Sequence, residues 1–241
     1  IDNMREQHRK LESAPVLEKQ EKQKPIALVA VASGEGLVNI FKDFLVDEVI
    51  QGGQTMNPSA QVIAEAIEKA PSQNIIVFPN NKNIIMAAEQ AAKMSKKNVH
   101  VVPSKSLPQG ISGVLAYNPE MAVEYNVTRM KGALDEVKTG QVTYAIRDAK
   151  ANGHKINEGE IIGIKDSEIV CHDKNITKAV MTLLENMVDE EDGIITIFYG
   201  EGVSEKDAKK IADLAEEKFD DCDIELHSGG QPIYSYIFSV E

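Results

Sequence analysis

From Pro25 onward the chain alternates short, uninterrupted apolar runs with longer stretches in which apolar residues recur every three or four positions. Ile26-Ala-Leu-Val-Ala-Val-Ala32 is a continuous run, the pattern of a strand covered on both faces. Ser33-Gly34-Glu35-Gly36 interrupts it, and Leu37, Ile40, Phe41, Phe44 and Leu45 then fall on one helical stripe. Asn57-Pro58-Ser59 predicts a second helix start, with Ser59 as cap ahead of Ile63, Ala66 and Ile67. Ile75–Phe78 reads as the next buried strand, Asn80–Asn83 as the opening of a helix through Ala92, and His100–Val102 as a short strand. This strand–helix rhythm predicts a doubly wound, mainly parallel sheet over about residues 25–117.

Residues 119–137 read as one long helix connecting two halves, with Pro119 in its first turn. Beyond it the pattern is mixed. Val142–Ile146 is a strand, and Glu160–Ile164 and Glu168–Cys171 flank Lys165-Asp-Ser167, a hairpin signal. A helix over 175–188, a strand over 194–199, a helix over 204–218 and strands near 223–227 and 233–240 complete this part. The expected organisation is a helical linker over 1–24, an amino-terminal α/β lobe over 25–118, a connecting helix over 119–138 and a mixed α/β lobe over 139–241. Residues 1–24 carry six basic and five acidic residues and no Gly, as in a solvated linker; the alternative is a helix packing on the body through Leu11, Val16 and Leu17. The chain starts at Ile1 rather than Met, which reads as a piece of a longer protein with domains upstream.

Composition narrows the function. With 42% apolar and 27% charged residues the 241-residue chain can build a core, which excludes wholesale disorder. A net charge of −12 argues against a nucleic-acid backbone or an anionic membrane as partner. No window of 18 uncharged apolar residues predicts a transmembrane helix. Cys171 and Cys222 form no CxxC, which suits idle thiols in a reduced, cytoplasmic protein. Between residues 185 and 223, 14 acids face four lysines, either a solvated face or a surface for a basic partner.

Four loops carry the candidate chemistry. Ser33, Gly34 and Gly36 lie between a buried strand and a helix, where backbone N–H groups can hold an anion. The loop is not a complete nucleotide-binding fingerprint, Glu35 would repel phosphate, and a tight turn is the competing reading. Gly52-Gly53-Gln54-Thr55-Met56-Asn57-Pro58-Ser59 offers close backbone approach, then amides and hydroxyls at a helix start, suited to a carboxylate, a phosphate or a protein contact. Ser104, Lys105 and Gln109 follow a strand end, where open parallel sheets place their sites. His227, Gly229, Gly230 and Gln231 precede the last strand, and His227 could bind a carboxylate or donate a proton. His154 and His172 show no zinc spacing with it, so no metal site is expected. No nucleophile–base pair and no carboxylate cluster for Mg²⁺ emerges.

Four longer segments go further: Gly52–Ser59, Pro103–Gly110, Gly140-Gln-Val-Thr-Tyr-Ala-Ile-Arg147-Asp148 and Gly229-Gly-Gln-Pro-Ile-Tyr-Ser-Tyr-Ile-Phe-Ser-Val-Glu241. Together they resemble the carboxy-terminal region of the kinase subunits of bacterial fatty acid kinases, the FakA family, which is dihydroxyacetone-kinase-like. The resemblance implies an upstream domain that uses ATP and Mg²⁺ to phosphorylate a fatty acid held by a separate carrier, FakB. It places the upstream kinase and middle domains on the same polypeptide, allows a homodimer through the full-length protein, and implies no cofactor and no catalytic residue in this region. The region also looks distantly like the carriers themselves, the DegV family. Thr55–Ser59 is similar to their Thr-Ser-Gln-Pro-Ser, and His227–Gly230 to their His-x-Gly-Pro, stretches that line the fatty-acid head-group site. Their early Asp-Ser-Thr is Ala32–Gly36 here, and their Pro-Gly is Gly230-Gln231. The resemblance therefore implies a two-lobed, carrier-like fold reused for docking. Its cleft would be formed by Ser33, Gly34, Gly36, Gly53, Gln54, Thr55, Asn57, Ser59, Ser104, Lys105, Gln109, Arg147, His227, Gly229, Gly230 and Gln231. The alternative is a domain that senses an acyl chain between the lobes.

Overall fold

Strand β1 (Ala27–Ala32) is buried along its whole length, and alternation of its side chains explains why. A computed structural model describes residues 24–54, 56–151 and 154–241; the expectations for 1–23 and for Thr55 lie outside them. Leu28, Ala30 and Ala32 of β1, with Ile76 and Phe78 of β3 (Asn74–Phe78), share a core with Leu37, Val38 and Phe41 of helix α1 (Glu35–Asp43). Ala27, Val29 and Val31, with Ile75 and Val77, point the other way and pack on α2 (Ala60–Lys69) and α3 (Ile85–Met94). With β2 (Glu48–Gln51) and β4 (Asn98–Val101) these strands form a wholly parallel sheet of order β2-β1-β3-β4. Continuous apolar runs are what two covered faces require.

The helix boundaries show where local polar chemistry overrides periodicity. Helix α1 stops at Asp43, so Phe44 and Leu45 leave the expected stripe; Leu45, at φ 63°, is 72% exposed. Asp47 then ties the chain back, its carboxylate accepting from Leu28 N–H at 2.9 Å as β2 begins. Helix α3 starts at Ile85, not Asn80, because Asn80 adopts φ 55° and its amide and backbone are held elsewhere. The helix expected over 119–137 spans only Val123–Asp135 (α5). Asn126, fully buried, accepts from Asn118 N–H and donates to the carbonyls of Asn118, Met121 and Ala122, which holds 118–122 as a turn. This helix packs Val123, Val127, Met130 and Leu134 into the first lobe's core beside α4 (Leu107–Leu115), so it is not a free-standing connector.

The second sheet has the order β11-β10-β12-β5-β8-β9. Its strands are β5 (Lys138–Tyr144), β8 (Ile161–Lys165), β9 (Glu168–Asp173), β10 (Ile194–Tyr199), β11 (Asp223–Ser228) and β12 (Tyr236–Val240); the small hairpin β6 (Ala149–Ala151) and β7 (His154–Ile156) stands apart. Only β10 and β11 run parallel. Between β8 and β9, Asp166 and Ser167 have φ of 45° and 84°, the two positive values that a tight two-residue hairpin demands. Helices α6 (Ile176–Met187) and α7 (Glu205–Lys218) cover one face with Val180, Leu183, Leu184, Ala208 and Ile211. From the opposite face Phe198 and Ile237 enter the core of the first lobe. The two sheets thus share apolar packing across their junction. Among the described residues no helix is long and apolar enough to cross a membrane.

Candidate functional site

The first sheet leaves a crevice where its strand order reverses, between β1 and β3, at their carboxyl ends; this is where open α/β sheets bind ligands. The second lobe closes it with Gln141 of β5, Ile164 and Ser167 of the β8–β9 hairpin, and Tyr234. The first lobe contributes Ser33, Gly52, Gly53 and Gln54, the segment Asn80–Asn83, Lys105 and Leu107. The resulting cleft measures about 230 Å³. Pockets that enclose drug-sized ligands run to roughly 300–1,000 Å³ and are mostly apolar; this one is small and polar.

Its walls are held by hydrogen bonds made elsewhere. Asn80 donates through Nδ2 to Val31 O at 2.9 Å, its backbone N–H donates to Ser104 Oγ, and Ser104 Oγ donates to Asn80 Oδ1 at 2.6 Å. Asn81 donates through Nδ2 to Gly53 O. Ser33 Oγ and Gln54 Oε1 remain buried with no partner among the described residues. Lys82 and Lys105 are exposed, and neither ammonium is ion-paired among the described residues. Among the described residues the lining holds no carboxylate and no imidazole. Burial raises the pKa of the Tyr234 phenol above its ordinary value, so Tyr234 is neutral and faces the cleft as a weak acid only. Such walls can orient a polar or negatively charged group; they hold no base to accept a proton at neutral pH.

Of the expected residues, Ser33, Gly53, Gln54 and Lys105 line this cleft. Gly34, Gly36, Gly229 and Gly230 form a seam between the lobes instead. Leu37 N–H donates to Gly229 O at 3.1 Å, so the start of α1 is occupied by protein backbone rather than open to an anion. A Cβ on Gly36 would overlap the carbonyl oxygen of Ser228, and one on Gly34 that of Gly229. Gln231, 1% exposed, donates to Phe198 O at 2.9 Å. Ser104 is fully buried, and Gln109 braces the loop, accepting from Lys105 N–H and donating to Leu134 O. Ser59 caps α2, accepting from Val62 N–H, and Asn57 is exposed beside it. Arg147 lies on an exposed loop, and His227 is an exposed residue of β11 stacked on Phe198. None of these last residues reaches the cleft.

Asn80–Asn83, Gln141 and Tyr234 are cleft residues that sequence reading missed. The strand-end rule, applied only after β4, would have found Asn80–Asn83 had it also been applied after β3. Gln141 and Tyr234 come from the other lobe and carry no local signal. A second hollow, apolar and about 460 Å³, lies at the opposite end of β1, lined by Ile26, Leu28, Phe44, Leu45 and Leu115. Among the described residues no three His, Cys, Asp or Glu side chains gather as metal ligands would.

The chain is 42% identical to protein YloV of Bacillus subtilis over 245 residues, covering all of this chain and 44% of that protein. It is 38% identical to protein SAUSA300_1119 of Staphylococcus aureus over 247 residues, again covering 44% of the relative. It therefore spans less than half the length of these curated relatives. Among solved structures, the DegV family protein Cg2579 from Corynebacterium glutamicum matches with a TM-score of 0.66 at 14% identity, over 91% of this chain and 97% of that one. The Streptococcus pneumoniae Fak B3 protein loaded with linoleic acid matches at 0.61 and 12%, over 90% and 99%. The dihydroxyacetone kinase of C. freundii matches at 0.58 and 11%, over 92% and 48%. At these identities the likeness is one of fold. The family model for the C-terminal region of FakA-like fatty acid kinase proteins matches residues 27–241, and the chain belongs to that family.

Proposed function

We propose that this chain is a non-catalytic recognition domain that seats a fatty-acid-carrying protein of the FakB type beside the ATP-dependent kinase part of a longer cytoplasmic polypeptide, for phosphorylation of the acyl carboxylate. One observation carries the reading: a fold like that of the Fak B3 protein loaded with linoleic acid has, at the switch point between its lobes, a small polar cleft. ATP and Mg²⁺ are assigned to parts of the polypeptide outside this chain, as is any homodimer contact. The alternative, an acyl-chain sensor, needs an apolar tunnel capped by Ser33, Thr55, Asn57, Ser59 and His227. Asn57 and His227 are instead exposed, and Ser59 is used as a helix cap.

Isothermal titration with a FakB-type carrier tests the reading, with binding and co-elution expected at micromolar concentrations. No heat and separate elution at about 100 μM, where a complex worth about 5.5 kcal/mol would be half formed, overturns it. Native mass spectrometry supplies the second arm: an acyl adduct on this chain would transfer the case to the sensor.

A further inference from the structure

We propose that the inter-lobe cleft is a binding site for a small phosphate oxyanion, either inorganic phosphate or the phosphate group of a monoester. The first support is charge. In a chain of net charge −12 the cleft lining contains Lys82 and Lys105 and no acidic side chain. Asp135 and Asp166 line an adjoining hollow that shares Lys105, where Asp166 accepts from Thr139 N–H at 3.0 Å, and Glu35 stands two residues from Ser33 outside the lining. Two ammonium groups without an ion pair among the described residues, at the mouth of a partly enclosed cavity, form a field that attracts anions.

The second support is independent. Ser33 Oγ and Gln54 Oε1 are buried in the cleft wall without a partner among the described residues, and a buried polar atom left so is costly unless something fills its bonding capacity. The two atoms ask for different things. A serine hydroxyl donates to an anionic oxygen, whereas an amide oxygen only accepts. A carboxylate satisfies the first alone. A hydrogen phosphate satisfies both once the two side chains, whose Oγ and Oε1 have no surface open to the cleft, turn toward it: its charged oxygens accept from Ser33 and the ammonium groups while its P–OH donates to Gln54. At about 230 Å³ the cleft is smaller than pockets that enclose drug-sized ligands, and its place at the switch point of the first sheet is where such groups are bound.

The test is titration of the chain with sodium phosphate, methyl phosphate and sodium acetate at constant ionic strength, followed by calorimetry and by the amide resonances of Ser33 and Gln54. Phosphate is expected to bind and to shift both resonances. Lys82→Gln and Lys105→Gln are each expected to weaken it by about fivefold, the value of one lost charge contact near water. Lys209→Gln, on an exposed lysine paired with Glu205, is expected to leave it unchanged. Methyl phosphate binding like phosphate assigns the site to monoesters; phosphate binding alone assigns it to the free ion. The proposal fails if neither binds at about 10 mM, if acetate binds as tightly, or if both cleft lysine variants bind as the wild type does.

Discussion

Asn126 shows how one side chain can set a helix boundary. Its carboxamide makes four hydrogen bonds to the turn over 118–122 and has no exposure to water. Asn126→Ala leaves those backbone groups without their partner, and urea denaturation is expected to register a loss of about 3 kcal/mol. An unchanged midpoint would mean that water replaces the side chain. The cysteines make a second residue-scale case. Burial, outweighing a backbone hydrogen bond, raises the pKa of the Cys171 thiol, and burial with Asp192, Asp221 and Asp223 nearby raises that of Cys222. Less thiolate at neutral pH means slower chemistry. Both thiols are expected to react with a disulfide reagent more slowly in the native protein than after unfolding in urea; equal rates would contradict the environment described.

At the level of elements, the glycines divide by what surrounds them. Gly132, exposed on α5, has nothing within 4 Å of a built Cβ, so Gly132→Ala is expected to stabilise by about 0.5–1 kcal/mol through helix propensity. Gly36→Ala drives a methyl group into the Ser228 carbonyl and is expected to cost about 3 kcal/mol, the upper end of overpacking, measured in the same denaturation series. Strands β1 and β3 were legible because burial on both faces writes itself as an unbroken apolar run, whereas β2, Glu-Val-Ile-Gln with a single buried residue, carries no such run and was not read. Helix α4 was not, because Pro108, Gly110 and Gly113 look like a loop until one sees Gly110 and Gly113 allow the close approach of Asn80 and Phe78. The Ser59 cap was legible because a helix start is a local device. The Gly36–Ser228 contact was not, because nothing local marks residues so distant in sequence as neighbours. That is also why Gln141 and Tyr234, which the second lobe supplies to the cleft, could not be read.

Across the whole molecule, ionisation sets the range of stability. Tyr236 is 2% exposed in the second core, where burial pushes its phenol up to about 12. The raised value means that the folded state prefers the neutral phenol. That contribution is intact below the ordinary value near 10 and fades as pH rises from there toward 12. Alkaline titration followed by ultraviolet absorbance is expected to show a phenol that ionises only with unfolding. Ionisation of all six tyrosines near pH 10 in the folded protein would sink the claim. On the acid side, hydrogen bonds from Lys138 and Asn157 hold Asp189 and Glu160 below the usual carboxylate range. Their contribution is present above that range and is lost as pH falls through their lowered values, so the folded state is expected to hold between these two limbs.

The seam at Gly36 and Ser228 has one more effect. Proteins built from two lobes commonly swing about a hinge, closing like jaws on what they hold. Here interlocked main chains, together with the hydrogen bond between Ser106 and Thr139 and the shared packing of Phe198 and Ile237, weld the halves. A welded body cannot report occupancy by changing its outline. Anything it conveys to the rest of the polypeptide must travel through where it is anchored and what rests on its exterior.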